Sequence, residues 1–203
     1  MSEIAWPTVM GMSDARRRIL DSYAQILRES GAPATTLEAV AEHAEVSKGG
    51  LLYHFGSKAK LAEGLIDLLR ELVTTDLELM AADRSGPVDY LLRTSDGSHS
   101  AFSLIYEAAF TLALAGNDTA RDYLPEAHLA WERGLEEAGV DPITARVVML
   151  LSDGLSMRAS IGQTFSAADH EAGAPSLEGR GNMDDIMELV RTRLLDEPHD
   201  PTA

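Results

Sequence analysis

Residues 35–60 read TTLEAVAEHAEVSKGGLLYHFGSKAK, and their punctuation decides the fold. Thr35 followed three residues later by Glu38 is the signature of a capping box, so a helix is expected to start there. Leu37, Val40, Ala41 and Ala44 recur at helical spacing and make its buried face, and the helix ends near Glu45. Ser47 can cap a short third helix from Lys48 to about His54. Ser57 can cap a fourth running to about Ala82, with Leu61, Leu65, Leu68, Leu69 and Leu72 turned inward. Two short helices separated by the three-residue turn Glu45-Val46-Ser47 have helix-turn-helix spacing. A helix of about seven residues is too short to stand alone in water. It must be held by its neighbours through Val46, Leu51 and Phe55, which leaves its other face free.

That free face has an unusual makeup. Gly49 and Gly50 lie inside the short helix, where each costs on the order of 1 kcal/mol relative to alanine. A bare backbone is useful where it must press close to something, such as a base edge. Around it stand Lys48, Leu52, Tyr53, His54, Lys58 and Lys60. Lysines make salt-sensitive phosphate contacts, and tyrosine, histidine and free helix N–H groups donate to phosphate oxygens.

The net charge of −16 argues at first against nucleic acid, but its distribution changes the reading. Residues 1–60 carry seven basic and seven acidic residues, whereas 61–203 carry ten and twenty-six. The lysines of the whole chain are Lys48, Lys58 and Lys60. Most of the chain is repelled by phosphate, and one short segment is equipped to approach it.

Upstream, Ile19, Tyr23, Ile26 and Leu27 make one face of a helix from about Ser13 to Ser30, stopped by Gly31-Ala32-Pro33. Arg16, Arg17 and Arg18 sit in its first turn, where the helix dipole disfavours cations; they are either solvated or reserved for a partner such as a phosphate.

The ordered run Ser47-Lys48-Gly49-Gly50-Leu51-Leu52-Tyr53-His54-Phe55, followed by Ser57-Lys58 and Leu61 and preceded by Thr35-Thr36-Leu37-Glu38-Ala39-Val40-Ala41, resembles the DNA-binding domain of TetR-family transcriptional regulators. The resemblance covers about residues 13–65, and within the family it looks nearest to multidrug-efflux repressors. It implies that Lys48, Gly49 and Gly50 face base edges, that Thr36, Ser47, Leu52, Tyr53, His54 and Lys58 line the phosphate backbone, and that Leu51 and Phe55 are core. Two residues depart from the family pattern. Glu45 stands in the turn where the family often has glycine, which implies strain or a basic neighbour. Gly50 stands where many relatives have a polar reader, so specificity would lean on Lys48 to guanine and on DNA shape.

Beyond residue 60 every segment reads as helix: 87–95, 99–115, 118–138, 141–164 and 183–196. The expected fold is all-α, with a tail at 1–12, a helix-turn-helix domain at 13–60, a ligand-binding and dimerisation domain at 61–196 and a tail at 197–203. Residues 166–182 are rich in Gly, Ala, Ser and Glu and are expected to form a loop.

Family resemblance implies a cavity for a small lipophilic inducer in the C-terminal body. Its candidate lining is Phe102, Ile105, Tyr106, Phe110, Trp131, Leu135, Met149, Met157 and Ile161, although apolar residues at helical spacing serve equally as core. Glu107 and Asp153 are acids within apolar helices. Each is either a counter-charge for a cationic inducer or an ordinary residue, Asp153 bonded to a neighbouring helix and Glu107 exposed; Arg146 and Arg158 could also pair with them. Val147, Val148, Leu151, Leu155, Ile186, Leu189, Val190 and Leu194 offer stripes for a four-helix homodimer interface. A two-fold dimer would bind a pseudo-palindromic double-stranded operator.

The sequence offers little to other classes. There is no cysteine, and the six histidines form no close ligand pairs, so no metal site or cofactor is expected. Gly154-Leu155-Ser156-Met157-Arg158 is not G-x-S-x-G, and no Gly-rich phosphate loop is present, so an enzyme is not expected. The remaining rival is a helical binding or scaffold protein whose helix-turn-helix no longer meets DNA. No run is long and apolar enough for a signal peptide or a membrane span, so a cytoplasmic protein is expected.

Overall fold

The computed structural model describes residues 12–96, 101–160 and 183–195, and all its regular structure is helical. The helices are α1 (Asp14–Ala34), α2 (Leu37–His43), α3 (Lys48–Phe55), α4 (Lys58–Ala82), α5 (Pro87–Ser95), α6 (Ala101–Leu114), α7 (Asp118–Glu137), α8 (Pro142–Ser160) and α9 (Met183–Val190), which runs on into a π-helical turn, Arg191–Leu195. The expected loop at 166–182, residues 1–11 of the first expected tail, the tail at 197–203 and Ile161 lie outside the described residues.

The chain packs as two compact units that interleave along the sequence: Met1–Thr75 with His99–Ala127, and Asp76–Ser98 with His128–Ala203. Residues 60 and 61 both lie in the first unit, and the leucines that follow are core. Leu61, Leu65, Leu68, Leu69 and Leu72 are all at most 2% exposed.

In the first unit α1 buries Ile19, Leu20, Tyr23, Ala24 and Leu27. It packs on α6, which buries Ile105, Ala108, Ala109 and Leu112. Ser13 caps α1, its hydroxyl accepting from the Arg16 N–H. Gly31, at φ 74, breaks the regular helix, and one further turn closes at Thr35.

That closing turn corrects the expected capping box. The buried Thr35 hydroxyl donates to the Ala32 carbonyl at 2.7 Å. The cap of α2 falls to Thr36, whose hydroxyl accepts from the Ala39 N–H at 3.1 Å. With the cap one residue later, the third helical position is Ala39, and Glu38 is released for another contact.

The α2–α3 turn is a Schellman motif. The Val46 N–H reaches the Ala41 carbonyl at 3.0 Å and the Glu45 N–H the Glu42 carbonyl at 3.1 Å. Glu45 occupies its left-handed position at φ 54, the one described non-glycine residue with positive φ. A glycine would sit there without the cost of a Cβ, which is about 1 kcal/mol or more. Ser47 and Ser57 cap α3 and α4 as expected, accepting from the N–H groups of Gly50 and Lys60.

Leu51 and Phe55 hold α3 to the unit, at 0% and 4% exposed. The Phe55 ring lies against Gly64 of α4: a Cβ at position 64 would stand 2.6 Å from the ring edge. On the ring's face the Arg16 guanidinium sits 4.5 Å from the centroid, and its Nη1 donates to the His54 carbonyl at 3.4 Å. Arg17 pairs with Asp21 at 2.9 Å. Two of the three first-turn arginines therefore have protein partners, and Arg18 is exposed.

The second unit is tied by hydroxyls and buried acids. Ser95 and Ser152 share a hydrogen bond at 2.7 Å, joining α5 to α8. Arg191, after α9, pairs with the buried Asp89 of α5. Asp141 caps α8, accepting from the N–H groups of Ile143 and Thr144.

Two substitutions test this packing with opposite signs. Glu45→Gly should raise stability by about 1 kcal/mol by removing left-handed strain. Gly64→Ala should lower it by about 1–3 kcal/mol, because overpacking against Phe55 outweighs the gain in helix propensity. Urea midpoints of the two variants check both, and a stabilised Gly64→Ala would refute the close seat of the ring.

Candidate nucleic-acid interface

The nine residues expected to meet DNA all belong to the first unit. Thr36, Ser47, Lys48, Gly49, Leu52, Tyr53 and Lys58 are exposed, and Gly50 and His54 are half-buried. Leu52 is 36% and Tyr53 86% exposed, whereas Leu51 and Phe55, on the other side of the same helix, are buried. The Tyr53 and His54 rings meet edge to face at 5.3 Å. The glycine pair is turned outward. A Cβ on Gly49 would meet only the Ser47 hydroxyl, at 3.9 Å. On Gly50 it would stand 3.2 Å from that hydroxyl, so this glycine also leaves room for the cap.

The cations on this surface are engaged. Lys48 pairs with Glu38 of α2, Lys60 with Glu63, and Lys58 donates to the Ala32 carbonyl at 3.1 Å. The hydrogen bond from Lys48 holds the Glu38 carboxyl below its usual range. These partners are exposed and weak, and anions can replace them at little cost.

The residues expected to meet an inducer divide between the units. Phe102, Tyr106, Glu107 and Phe110 belong to the first; Trp131, Met149, Asp153 and Met157 to the second. Phe102 and Tyr106 stack along α6 at 6.1 Å, and Phe110 is 52% exposed. Trp131 and Met149 are buried, as are Ile105 and Leu135, whereas Met157 is 73% exposed. Asp153 pairs with His128 at 3.3 Å, and this contact holds the imidazole above its ordinary range. Arg146 goes instead to Glu132.

One buried acid of the second unit, Asp76, was not among the residues expected from sequence. Asp76 is 4% exposed. Its two oxygens accept from the Tyr90 hydroxyl at 2.7 Å and the Trp131 indole N–H at 2.8 Å. Burial raises its carboxyl, and the two hydrogen bonds partly offset the rise. The signal was there: Leu65, Leu69, Leu72, Asp76 and Met80 continue one inward row of α4.

A capped short helix, seated on two others and bare on its outer face, is the architecture of helix-turn-helix proteins. Residues 19–65 match the family model described as bacterial regulatory proteins, tetR family. The repressor KstR2 of Rhodococcus jostii (strain RHA1) is 31% identical over 145 residues, covering 64% of this chain and 67% of that protein. The nucleoid occlusion factor SlmA of Marinomonas sp. (strain MWYL1) is 36% identical over 76 residues, covering 37% of this chain but only 39% of that relative. The multidrug binding protein EbrR, solved with malachite green, superposes with a TM-score of 0.55 at 22% identity, over 79% of this chain and 94% of that one. The chain belongs to the TetR family of bacterial regulatory proteins. Family members are DNA-binding transcriptional regulators rather than enzymes.

Asp76 gives a test with a fixed sign. Its carboxyl is raised in the folded state, so ionising it costs stability as pH climbs from the unfolded value through the folded one. In Asp76→Asn both hydrogen bonds can persist, since a tyrosine hydroxyl can also accept. The stability of that variant relative to the parent should therefore rise with pH across the acid range and then level off. Asp76→Ala should lose about 2–4 kcal/mol at low pH by leaving two buried donors without an acceptor, and the loss should narrow as pH rises and the parent's carboxyl ionises. Urea unfolding followed by tryptophan fluorescence at a series of pH values reads both.

Proposed function

We propose that this protein is a ligand-responsive transcriptional regulator, a repressor, which binds a pseudo-palindromic operator as a homodimer in the cytoplasm and is released by a small lipophilic inducer. The observation that carries the reading is the outer face of α3. There Gly49 and Gly50 leave the backbone bare, and Lys48, Tyr53 and Lys58 are all exposed around it. In this reading residues 13–60 are the DNA-binding domain. Lys48, Gly49 and Gly50 approach base edges, and Thr36, Ser47, Leu52, Tyr53, His54 and Lys58 contact the backbone.

The dimer is supported by α8. Ile143, Leu150 and Met157 are 54%, 66% and 73% exposed at seven-residue spacing, with Gly154 open beside them. Leu189 of α9 is also exposed, at 61%. Of the stripe residues expected from sequence, Val148, Leu155 and Val190 are core of the second unit. The interface register therefore turns toward Leu150 and Met157, and Met157 serves the dimer better than a ligand pocket.

For the inducer, the aromatic row Phe102, Tyr106 and Phe110 with Glu107, and the group Trp131, Met149 and Asp153, remain the candidate contacts. The exchange of inducer for operator works by population shift. A ligand that prefers a dimer with wrongly spaced reading heads lowers DNA affinity reciprocally. No described helix is long and apolar enough to cross a membrane.

Selection of bound duplexes from a random pool should return a two-fold-related site. On that site Lys48→Ala should lose affinity by about tenfold or more and relax base preference, whereas Lys58→Ala should weaken binding to operator and random duplex alike. Equal losses for both variants on both duplexes would overturn the assignment. Leu150→Glu should leave the helical content unchanged and give a monomer in sedimentation. A variant that stays dimeric would place the interface elsewhere.

A further inference from the structure

The acid on the DNA-binding face has no part in the reading above. Glu38 stands in the first turn of α2 and is exposed, with its carboxylate on the Lys48 ammonium. In a protein that must approach a polyanion, a carboxylate paired with the first residue of the recognition helix is a liability unless it does something. The displaced capping box leaves it free for this contact, since Thr36 rather than Thr35 caps α2.

We propose, resting on the DNA-binding reading, that Glu38 is a specificity-determining residue: it screens the Lys48 ammonium from phosphates while leaving it able to read neutral base edges. An ammonium carries three donors, and the pair with Glu38 uses one. A phosphate that competes for Lys48 exchanges one anionic acceptor for another and is set beside an uncompensated carboxylate. A guanine edge offers O6 and N7 with no net charge, so Lys48 can keep Glu38 and donate its other two N–H groups. The pair thus penalises sequence-independent binding more than operator binding. Its exposure sets the scale: a solvent-facing ion pair shifts an equilibrium by about fivefold at most. This makes Glu38 a filter rather than a lock.

The test uses the full-length protein, the duplex selected as above and a random-sequence duplex of equal length. Glu38→Gln should raise affinity for the random duplex about fivefold and change operator affinity less than twofold, so the ratio between them falls. On random DNA the slope of log affinity against log salt should steepen by about one, as Lys48 gains a phosphate contact. Glu42→Gln removes the same charge from α2 without touching the Lys48 pair, and it should leave the ratio unchanged. Circular dichroism and urea midpoints confirm that both variants fold.

An unchanged ratio in Glu38→Gln, or an equal fall in Glu42→Gln, overturns the role of Glu38 while leaving the regulator reading intact. A parent protein that prefers no duplex in the selection overturns both.

Discussion

The surface depends on one constraint: an eight-residue helix must be held from one side only. Its length cannot sustain it in water, so neighbours must supply the stability. Phe55 is the main anchor, with its ring edge against Gly64 and its face under the Arg16 guanidinium. Arg16 also donates to a carbonyl in the last turn of α3, the end at which a helix dipole favours a cation. Ser47 closes the other end. With both termini and one face satisfied, the remaining face needs no protein contact, and two glycines there do not unravel it.

The same arrangement explains how an acidic protein can approach DNA. The first sixty residues are electrically balanced, and their three lysines are parked on local acids and a carbonyl rather than left bare. Exposed pairs of this kind cost little to exchange. Under the proposed reading such a surface is weakly attractive at long range and selective at short range, which suits a protein that must distinguish one site among many. The second unit is built on the opposite principle. There Asp76, Tyr90 and Trp131 lock polar atoms together out of water, and truncating any of them to an apolar side chain leaves a buried group unsatisfied.

Most of the helices were legible because each signal was local. Ser47 and Ser57 precede runs with helical spacing, and both serve as caps. The inward leucines of α4 repeat at three and four residues, and all are buried. The misplaced cap at Thr35 shows the limit of such signals. Two adjacent threonines both fit an N-cap, and only the turn after Gly31 decides that Thr35 faces backward to Ala32. The rows of α8 show a related limit: the helix is apolar on more than one side, and periodicity alone does not say that Val148 and Leu155 face their own unit while Leu150 does not.

The sequence by itself determined the order and type of the helices, the position of the helix-turn-helix and the residues of its outer face. These follow from spacing, capping chemistry and backbone preference within a few residues. Tertiary structure alone decided the partners. Arg16 goes to Phe55, Asp76 to Tyr90 and Trp131, Lys48 to Glu38, and Glu45 takes the left-handed position of a turn. Each depends on which surfaces meet, and a burial or a distance between residues far apart in the chain is a property of packing that no local pattern encodes.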